Sequence, residues 1–362
     1  MNHIILNKKG NRYTKLGQLD NAIISYEKAI SIKPDFAEAY YNLGNSHHKL
    51  GQLDAAVRNY KKVVAIKPKY AETHNNKILT VIYFFSKGKI PDAVDILEVL
   101  IKDNPEDALL FNMIGGCFVS LGQFDMAIKS YEKALTFNPN YAIPQHMLNS
   151  LTGYTSKEPP KEYVKNLFDD YAERFDDSLV GGLQYKLPFL IKDIIQKLPT
   201  TKSKFFKTID LGCGTGLSGK ALREVSTHLT GIDLSGNMVA KAKELKIYDS
   251  LIVGDIVEIL SSSKEKYDLF IALDVLIYIG EPKSIFNAVR KCCNQNSLFI
   301  FSIETQEDKG YSLLKSARYA HSDRYILDVA SNGFRLVDSQ NVRLRKEENN
   351  WIDGKIYILK AS

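Results

Sequence analysis

The chain has 362 residues, 44% of them apolar and 25% charged, a composition typical of a globular protein that is long enough for two domains. Its net charge of +6 is spread along the sequence, so nucleic-acid binding is not favoured, and no apolar run reaches the length of a membrane span. The four cysteines lack the spacing of a zinc site or a disulfide framework. Together with the absence of a signal peptide, this predicts a cytoplasmic protein with reduced thiols, no metal site and no membrane partner.

The first half of the chain contains a repeat with a period of 34 residues. Four prolines mark it, at spacings of 34, 37 and 34 residues: Pro34, Pro68, Pro105 and Pro139. Ahead of the first proline stand Gly17, Ala22, Tyr26 and Ala29, and the second and fourth copies follow this register closely. The third copy has Leu97 in the tyrosine position and a three-residue insertion in or before its first helix. This period, with small residues at helix contacts and proline after the second helix, resembles the tetratricopeptide (TPR) repeat.

The TPR resemblance covers about residues 3–141 and implies an all-α solenoid of helix pairs, with a further helix at residues 141–151 as its cap. The predicted TPR domain comprises residues 1–152. Such an array can be a spacer, or its concave face can bind a protein or peptide partner. Asn11 and Asn45 recur in register on the predicted inner face, where their amides are suited to an extended peptide. Both interpretations stay open at this point.

Residues 153–160, Gly-Tyr-Thr-Ser-Lys-Glu-Pro-Pro, are rich in turn formers and predict a domain boundary. An amphipathic helix is predicted next, at residues 161–175. The residues on its apolar face are Tyr163, Leu167, Tyr171 and Phe175. This helix either packs on the surface of the next domain or forms a lid over a polar ligand. We therefore assign residues 153–186 to a linker with a candidate lid helix, and residues 187–362 to a second domain.

The second domain alternates predicted strands and helices. Seven short apolar runs predict strands, at residues 205–211, 229–234, 250–253, 267–273, 297–303, 334–337 and 355–359. The last two are predicted to pair as a hairpin, and helical patterns lie between most of the others. Alternation of this kind predicts an α/β Rossmann-like domain, with a mostly parallel seven-stranded sheet that is covered by helices on both faces.

A glycine loop follows the first predicted strand, in the order Asp210-Leu-Gly212-Cys-Gly214-Thr-Gly216. Leu217 stands where the dinucleotide fingerprint requires its last glycine, and the Gly-Lys-Ser/Thr sequence of a phosphate-binding loop is missing. Glycines permit a sharp turn and a close approach of a ligand to the backbone. An acidic residue just before the loop would repel a pyrophosphate, whereas it suits a ligand that carries an ammonium group.

Acidic residues stand at or near the ends of four predicted strands: Asp210, Asp233, Asp255 and Asp274. Ligands of parallel α/β sheets bind at the carboxyl ends of the strands, so we expect these side chains to surround one site. Asp233 can accept hydrogen bonds from a ribose diol, and Asp255 can accept one from an exocyclic amine or cap the following helix. A ligand that combines ammonium, ribose and adenine without phosphate is S-adenosylmethionine, which is the predicted cofactor.

Residues 205–304 resemble the class I S-adenosylmethionine-dependent methyltransferases through the glycine loop and through Gly231-Ile-Asp-Leu-Ser, Gly254-Asp and Leu273-Asp-Val. The whole chain resembles bacterial predicted methyltransferases with N-terminal TPR repeats, through segments at residues 167–176, 274–280 and 318–322. The resemblance implies the same α/β fold and a methyl-transfer activity.

The resemblance also implies roles for residues. The glycines of the loop contact the backbone and methionine part of the cofactor, Asp233 holds its ribose, Asp255 with Ile256 holds its adenine, and Asp274 holds its methionine end. The full set of candidate cofactor-binding residues is Asp210, Gly212, Cys213, Gly214, Gly216, Asp233, Leu234, Met238, Asp255, Ile256, Asp274 and Tyr171.

Methyl transfer from a sulfonium is an in-line displacement, in which an enzyme supplies proximity and alignment. A general base is needed only for a protonated acceptor, and His321 or Tyr319 is the candidate, with a structural or an exposed histidine as the alternative for His321. Two functions stay open. One is a methyltransferase whose TPR repeats recruit a protein partner or substrate. The other is a TPR interaction scaffold whose methyltransferase-like domain is regulatory or inactive.

Overall fold

The computed structural model describes residues 2–67, 77–172, 175–176, 182–197, 205–347 and 350–362. The chain divides into two compact units, Met1–Leu148 and Asn149–Ser362, and the division falls close to the predicted end of the TPR domain at residue 152. Pro68, one of the four repeat prolines, lies outside the described residues, as do Glu173 and Arg174 of the predicted lid helix. Of the helices described, none is long and apolar enough to cross a membrane.

The first unit is built from antiparallel helix pairs, as the repeat predicts. Its described helices are α1 (Asn2–Lys15), α2 (Leu19–Ile32), α3 (Ala37–Lys49), α4 (Leu53–Ile66), α5 (Lys77–Ser86), α6 (Ile90–Asp103), α7 (Ala108–Ser120) and α8 (Phe124–Phe137). The predicted capping helix is α9 (Ala142–Thr152), which crosses the division between the units. The predicted helical TPR region is therefore confirmed.

A contact between glycine and tyrosine recurs in the helix pairs. A tyrosine of the second helix, at most 2% exposed, packs against a glycine of the first helix 16 residues earlier. The three contacts join Gly10 to Tyr26, Gly44 to Tyr60 and Gly115 to Tyr131. In the third pair the same two positions hold Val81 and Leu97, which are both buried. A larger residue on the first helix thus offsets a smaller one on the second, so the volume at the contact is kept.

The tyrosine hydroxyls bond back to the first helix. Tyr26 donates to the Oδ1 atom of Asn11, and Tyr60 donates to that of Asn45, each at 2.8 Å. These are the asparagines that the sequence predicts on the inner face of the array. Their carboxamide oxygens therefore orient the second helix of their own repeat.

The described strands of the second unit form one nine-stranded sheet. They are β1 (Phe205–Leu211), β2 (Ser226–Asp233), β3 (Ser250–Val253), β4 (Tyr267–Ala272), β5 (Cys293–Thr305), β6 (Tyr311–Leu313), β7 (Tyr319–His321), β8 (Phe334–Glu347) and β9 (Asn350–Ala361). The order β3-β2-β1-β4-β5 is parallel throughout, and β9 pairs antiparallel with both β5 and β8. The α/β fold is confirmed, but the expectation of a mostly parallel seven-stranded sheet is wrong: the sheet has nine strands and is mixed, since β5–β9, β6–β7 and β8–β9 pair antiparallel.

Two features of the sequence explain this difference. β6 and β7 have three residues each, which is too short for a periodic pattern to be recognised. β8 and β9 extend well beyond the predicted residues 334–337 and 355–359, because much of β8 is polar and exposed on its outer part. A strand that faces water on both sides resembles a loop in its composition.

Helices cover both faces of the sheet. The helices of this unit are α10 (Lys161–Tyr171), α11 (Leu187–Lys197), α12 (Leu217–Val225), α13 (Gly236–Glu244), α14 (Ile256–Ser262), α15 (Lys283–Lys291) and α16 (Asp323–Ala330). Along β4, Phe270 packs in a cluster with α14, α15 and α16, while Ile271 packs in a second cluster with α11 and α12. The strand is therefore buried on both sides, as a parallel sheet requires.

Two adjacent glycines of α7 provide a test of the repeat contact. A Cβ atom on Gly115 would lie 2.6 Å from the Tyr131 ring, whereas one on Gly116 would meet no heavy atom within 4 Å. We expect Gly115→Ala to lower the free energy of unfolding by about 1–3 kcal/mol through overpacking. Gly116→Ala should leave it unchanged or raise it by up to about 1 kcal/mol, because alanine favours the helix. Urea unfolding of the full chain, followed by circular dichroism, measures both; equal effects would contradict the contact.

Candidate functional site

A cavity of about 450 Å³ lies in the second unit, where β1 to β4 end. The glycine loop after β1, Asp233 at the end of β2, Asp255 after β3 and Asp274 after β4 all line it. Helix α10 and the 3₁₀ turn Leu276–Tyr278 supply further wall. Among the described residues, the lining contains five carboxylates and three cations: Glu158, Asp233, Asp255, Asp274, Glu347, Lys161, Arg318 and Arg345.

The glycine loop is held against β2 by its backbone. The N–H groups of Gly212 and Cys213 both donate to the Ile232 carbonyl, at 2.8 and 2.9 Å. Gly212 and Gly214 have φ angles of +70° and +54°, and a Cβ on Gly212 would lie 2.5 Å from a methyl group of Val275. Only glycine fits this turn and this close approach. The loop therefore presents a backbone edge to the cavity.

Asp233 joins two loops with one carboxylate. Its Oδ2 atom accepts from the Gly214 N–H at 2.8 Å, and its Oδ1 atom accepts from the Ser235 N–H at 2.9 Å. Burial raises the pKa of the Asp233 carboxyl, and these two N–H donors oppose that rise. A carboxylate held in this way keeps lone pairs available for hydroxyl groups of a ligand.

Asp255 has one of the two roles that the sequence suggests for it, the cap of the following helix. Its Oδ1 atom caps α14 by accepting from the Glu258 N–H at 3.0 Å, and the residue also lines the cavity. Its Oδ2 atom lies 3.1 Å from the Lys161 ammonium, which is 2.6 Å from Glu258 as well. The first residue of α10 is thus bound to the strand end at β3.

Helix α10 is also bound near its other end. The Asp169 Oδ1 atom accepts from the Ser235 hydroxyl at 2.6 Å, and its carbonyl accepts from the Asn237 side chain at 3.0 Å. Beyond the helix, Asp176 accepts a hydrogen bond from the Thr215 hydroxyl of the glycine loop. Each of these partners lies within three residues of a candidate cofactor-binding position.

Aromatic rings fill the space between α10 and the loops. Phe175 lies edge-on to Phe168 and Tyr171, at 6.2 and 5.6 Å between ring centroids, and Phe168 contacts Tyr278 at 5.2 Å. All four rings line the cavity. The part of the wall that these rings form is therefore aromatic.

A cluster of ion pairs closes the cavity beside Asp274. Arg345, with a side chain only 4% exposed, donates to Asp274 at 3.1 Å, to Glu347 at 2.8 Å and to Glu304. Arg318 donates to Glu304 at 2.8 Å and also to Glu347. Burial alone would raise the pKa of the Glu347 carboxyl, but the two arginines bring it below its usual range. A buried arginine is stable only with such partners.

Sequence reasoning missed Arg345. It stands in β8 within Val-Arg-Leu-Arg-Lys-Glu, a segment with the composition of an exposed strand, so no local signal separates it from its neighbours. Glu304 ends a strongly apolar strand, and that contrast is the signal that could have marked the cluster.

The structure brings most of the candidate cofactor-binding residues to one cavity. Those that line it are Gly212, Cys213, Gly214, Asp233, Leu234, Asp255, Ile256, Asp274 and Tyr171. Met238 is fully buried in α13, and a Cβ on Gly216 would meet Leu245 at 2.9 Å, so both pack beneath the loops. Asp210 is 2% exposed and accepts from the Tyr248 hydroxyl at 2.7 Å. The binding roles of all twelve stay predictions.

The two candidate bases lie in β7, outside the described cavity lining, and both are fully buried. Tyr319 is 2.7 Å from the Ser156 hydroxyl, and the His321 Nε2 atom is 3.0 Å from the Gly280 carbonyl. Because a carbonyl only accepts, the His321 Nε2 atom carries the proton. Burial lowers the pKa of His321 to about 4, so the ring is neutral at pH 7. These contacts support the structural alternative, in which His321 holds the turn that precedes Gly280.

Comparison with known families agrees with this architecture. Residues 202–328 match the family model of a methyltransferase domain. Residues 10–51 match a model of the TPR repeat, and residues 37–70 and 108–141 match a model of the tetratricopeptide repeat. The chain therefore carries TPR repeats followed by a methyltransferase domain.

Several relatives are similar in sequence to part of this chain. The ubiquinone biosynthesis O-methyltransferase of Hydrogenovibrio crunogenus is 26% identical over 155 residues, which are 41% of this chain and 63% of that protein. The 18S rRNA (guanine-N(7))-methyltransferase of Arabidopsis thaliana is 27% identical over 106 residues, 26% of this chain and 37% of that protein. The chain thus spans less than two thirds of either relative. A solved magnesium protoporphyrin IX methyltransferase from Synechocystis PCC 6803 is similar with a TM-score of 0.43 and 17% identity, over 56% of this chain and 99% of that one.

The buried carboxyl of Asp210 gives a pH-dependent prediction. Burial raises its pKa to about 7, although the Tyr248 hydroxyl opposes the rise. Between about pH 4 and pH 7 the folded chain keeps a proton that the unfolded chain releases, so this group makes stability fall as the pH rises. We expect the free energy of unfolding of the wild type to fall relative to that of Asp210→Asn between pH 5 and pH 8. Urea unfolding at several pH values measures this, and a constant difference between the two proteins would contradict it.

Proposed function

We propose that the second unit is an S-adenosylmethionine-dependent methyltransferase and that the TPR unit recruits a protein partner or substrate. One observation carries the first part. A glycine loop and the carboxylates of Asp233, Asp255 and Asp274 line a single cavity at the carboxyl ends of parallel strands. This is the place where α/β sheets bind their ligands.

The charges of the cavity favour this cofactor over a nucleotide phosphate. In a phosphate-binding loop the backbone N–H groups face the anion, but the Gly214 N–H donates to Asp233 instead. Carboxylates outnumber cations among the described lining residues, and both lining arginines are already paired with carboxylates. A ligand with net positive charge and hydroxyl and amine donors fits these groups, whereas a polyphosphate does not.

Different residues of the cavity are proposed to contact different parts of the cofactor. Bound S-adenosylmethionine supplies a methyl group on a positively charged sulfur. Asp233 accepts from the ribose hydroxyls, and Asp255 accepts from the adenine amine. The rings of Phe168, Tyr171 and Phe175 exclude water from the cavity, which strengthens the electrostatic contacts within it.

The two relatives named above transfer methyl groups to different acceptors. The names of the two relatives describe transfer to oxygen in one case and to a guanine nitrogen in the other. Each of these relatives matches less than half of this chain, so neither acceptor carries over. Because the predicted bases His321 and Tyr319 are buried away from the lining, an acceptor that needs no base from these positions fits best.

The TPR unit supports the second part of the proposal. Side chains of α1 and α3 form a polar face in which Asn7 donates to Glu38 at 2.9 Å and Asn42 donates to Asn7 at 3.1 Å. Asn7 is only 2% exposed and is bonded on both sides, so it fixes the orientation of the partly exposed Asn42, whose carboxamide suits the backbone of an extended peptide. A peptide or protein segment is therefore the proposed partner.

The proposal predicts binding of S-adenosylhomocysteine, the stable product form of the cofactor, by the wild-type chain. Asp233→Ala should weaken this binding at least tenfold, because a charged acceptor for the ribose is lost and the Gly214 and Ser235 N–H groups lose their partner. Isothermal titration calorimetry measures both dissociation constants. Asp308→Ala, in an exposed loop, is the control and should bind like the wild type.

Absence of binding by the wild type would defeat the enzyme proposal and favour the alternative of a TPR scaffold with an inactive methyltransferase-like domain. Where binding is found, methyl-labelled S-adenosylmethionine is incubated with the protein and a cell lysate. Label that enters protein, small molecules or RNA then identifies the class of acceptor.

We also propose that α10 is the lid of this site. It is bound to the strand ends by Lys161 at its beginning and by Asp169 near its end, and Tyr171 lines the cavity below it. The helix is held by these polar contacts and by the ring contact of Phe168 with Tyr278, so its release would break local contacts and leave the sheet folded.

Lys161→Met tests the lid. Removing its contacts with Asp255 and Glu258 should increase the dissociation rate of S-adenosylhomocysteine about two- to fivefold, since exposed ion pairs contribute roughly 0.2–1 kcal/mol. Lys165→Met, an exposed position of the same helix, is the control. Stopped-flow measurement of the dissociation rate distinguishes the two. An unchanged rate for Lys161→Met would mean that α10 does not retain the ligand.

A further inference from the structure

Asp274 has a backbone conformation that is uncommon for residues with a Cβ atom. Its φ angle is +54°, in the left-handed region that disfavours residues with a Cβ atom. The Ser302 hydroxyl on β5 stabilises this conformation. It accepts from the Asp274 N–H at 2.8 Å and lies 3.3 Å from the Asp274 Oδ1 atom, to which it donates. Strain of this kind persists at functional sites, where a side chain must point in one direction.

Arg345 fixes the other oxygen of the same carboxylate. Its Nη1 atom donates to the Asp274 Oδ2 atom at 3.1 Å. The guanidinium is itself fixed by Glu304 and Glu347, and Arg318 bonds to both of these carboxylates. All three nitrogen atoms of the planar guanidinium thus bond to carboxylates, which fixes its orientation.

This arrangement also determines the charge of Asp274. Burial raises the pKa of its carboxyl, and Arg345 is the main group that opposes the rise. Without the guanidinium, a carboxyl in this position would take up a proton more readily. Arg345 therefore favours an ionised Asp274 as well as a single orientation of it.

The position of Asp274 indicates which part of a ligand it receives. The next residue, Val275, contacts Gly212, the first glycine of the loop. Asp233 and Asp255 lie at the ends of β2 and β3, on the other side of β1 in the sheet. A ligand whose ribose and adenine contact those two strand ends therefore has its remaining part beside β4.

We propose that Arg345 is a positioning residue, which holds the Asp274 carboxylate in the orientation that accepts the ammonium group of the cofactor's methionine part. The inference rests on the proposed function, because it assumes that S-adenosylmethionine is the ligand. It adds a residue 71 positions away in the sequence that decides how strongly the amino-acid part of the cofactor is bound.

Two ligands separate this role from a merely structural one. S-adenosylhomocysteine has the amino-acid part, and 5′-methylthioadenosine lacks it. Arg345→Met should weaken binding of S-adenosylhomocysteine at least tenfold and change binding of 5′-methylthioadenosine less than twofold. Arg345→Lys should cause a smaller loss in the same direction, because lysine keeps the charge without the fork. Calorimetric titration of the full chain gives all of these dissociation constants.

Matched variants complete the test. Arg343→Met, in the same strand with its guanidinium 5.8 Å from the Trp351 ring, should bind both ligands like the wild type. Adding Asp274→Asn to Arg345→Met should cause little further loss, because both changes remove the same contact. If Arg345→Met does not fold, as its thermal unfolding curve would show, Ser302→Ala should lower affinity selectively for S-adenosylhomocysteine and replaces it in the test.

Equal losses for both ligands, or no loss for either, would overturn the inference while leaving the proposed function intact. The inference would also be overturned if the loss of affinity in the double variant equalled the sum of the losses in Arg345→Met and Asp274→Asn. A wild type that binds 5′-methylthioadenosine as tightly as S-adenosylhomocysteine would also overturn the inference alone. A wild type that binds neither ligand would overturn the proposed function and this inference with it.

Discussion

Burial of carboxylates at the strand ends is the constraint on which the second unit depends. A carboxylate in a site of low dielectric needs donors, and each acid at these ends has different ones. Asp233 has backbone N–H groups, Asp255 has a helix N-terminus and Lys161, and Asp274 has Arg345. Asp210 has the Tyr248 hydroxyl, a neutral partner; burial raises the pKa of Asp210 to about 7, and this hydroxyl opposes the rise only in part. The acids at the strand ends thus differ in the kind of donor that compensates their burial.

The same bonds that compensate these charges also fix the loops. Asp233 binds the glycine loop to the turn after β2, and the Ser235 hydroxyl in that turn donates to Asp169 of α10. A site built in this way has its acceptors aligned before a ligand arrives, so little reorganisation is needed on binding. Fixed acceptors of this kind are suited to a reaction that depends on alignment rather than on proton transfer.

Contacts between residues that are close in sequence, or that recur with a repeat, could be predicted from the sequence, whereas contacts between distant segments could not. In the TPR unit, the glycine and tyrosine that touch are 16 positions apart, and the contact recurs with the period of the repeat. The loop and strand ends were also predictable, because an apolar run followed by glycine or aspartate is a local pattern. The partner of Asp274 was not, since Arg345 comes from a strand with the composition of an exposed one. The antiparallel pairing of β9 with β5 is non-local in the same sense.

In the proposed function, cofactor and lid share their partners. The Asp255 Oδ1 atom caps α14 and its Oδ2 atom contacts Lys161, so an adenine amine that reaches this carboxylate must share an oxygen with one of them. Each carboxylate oxygen has two lone pairs, so it can accept from the amine and from its present donor at the same time. A bound ligand therefore brings a second donor to the carboxylate that Lys161 of the lid already contacts. The position of α10 and the occupancy of the cavity are then linked energetically, because each changes the free energy of the other by the same amount.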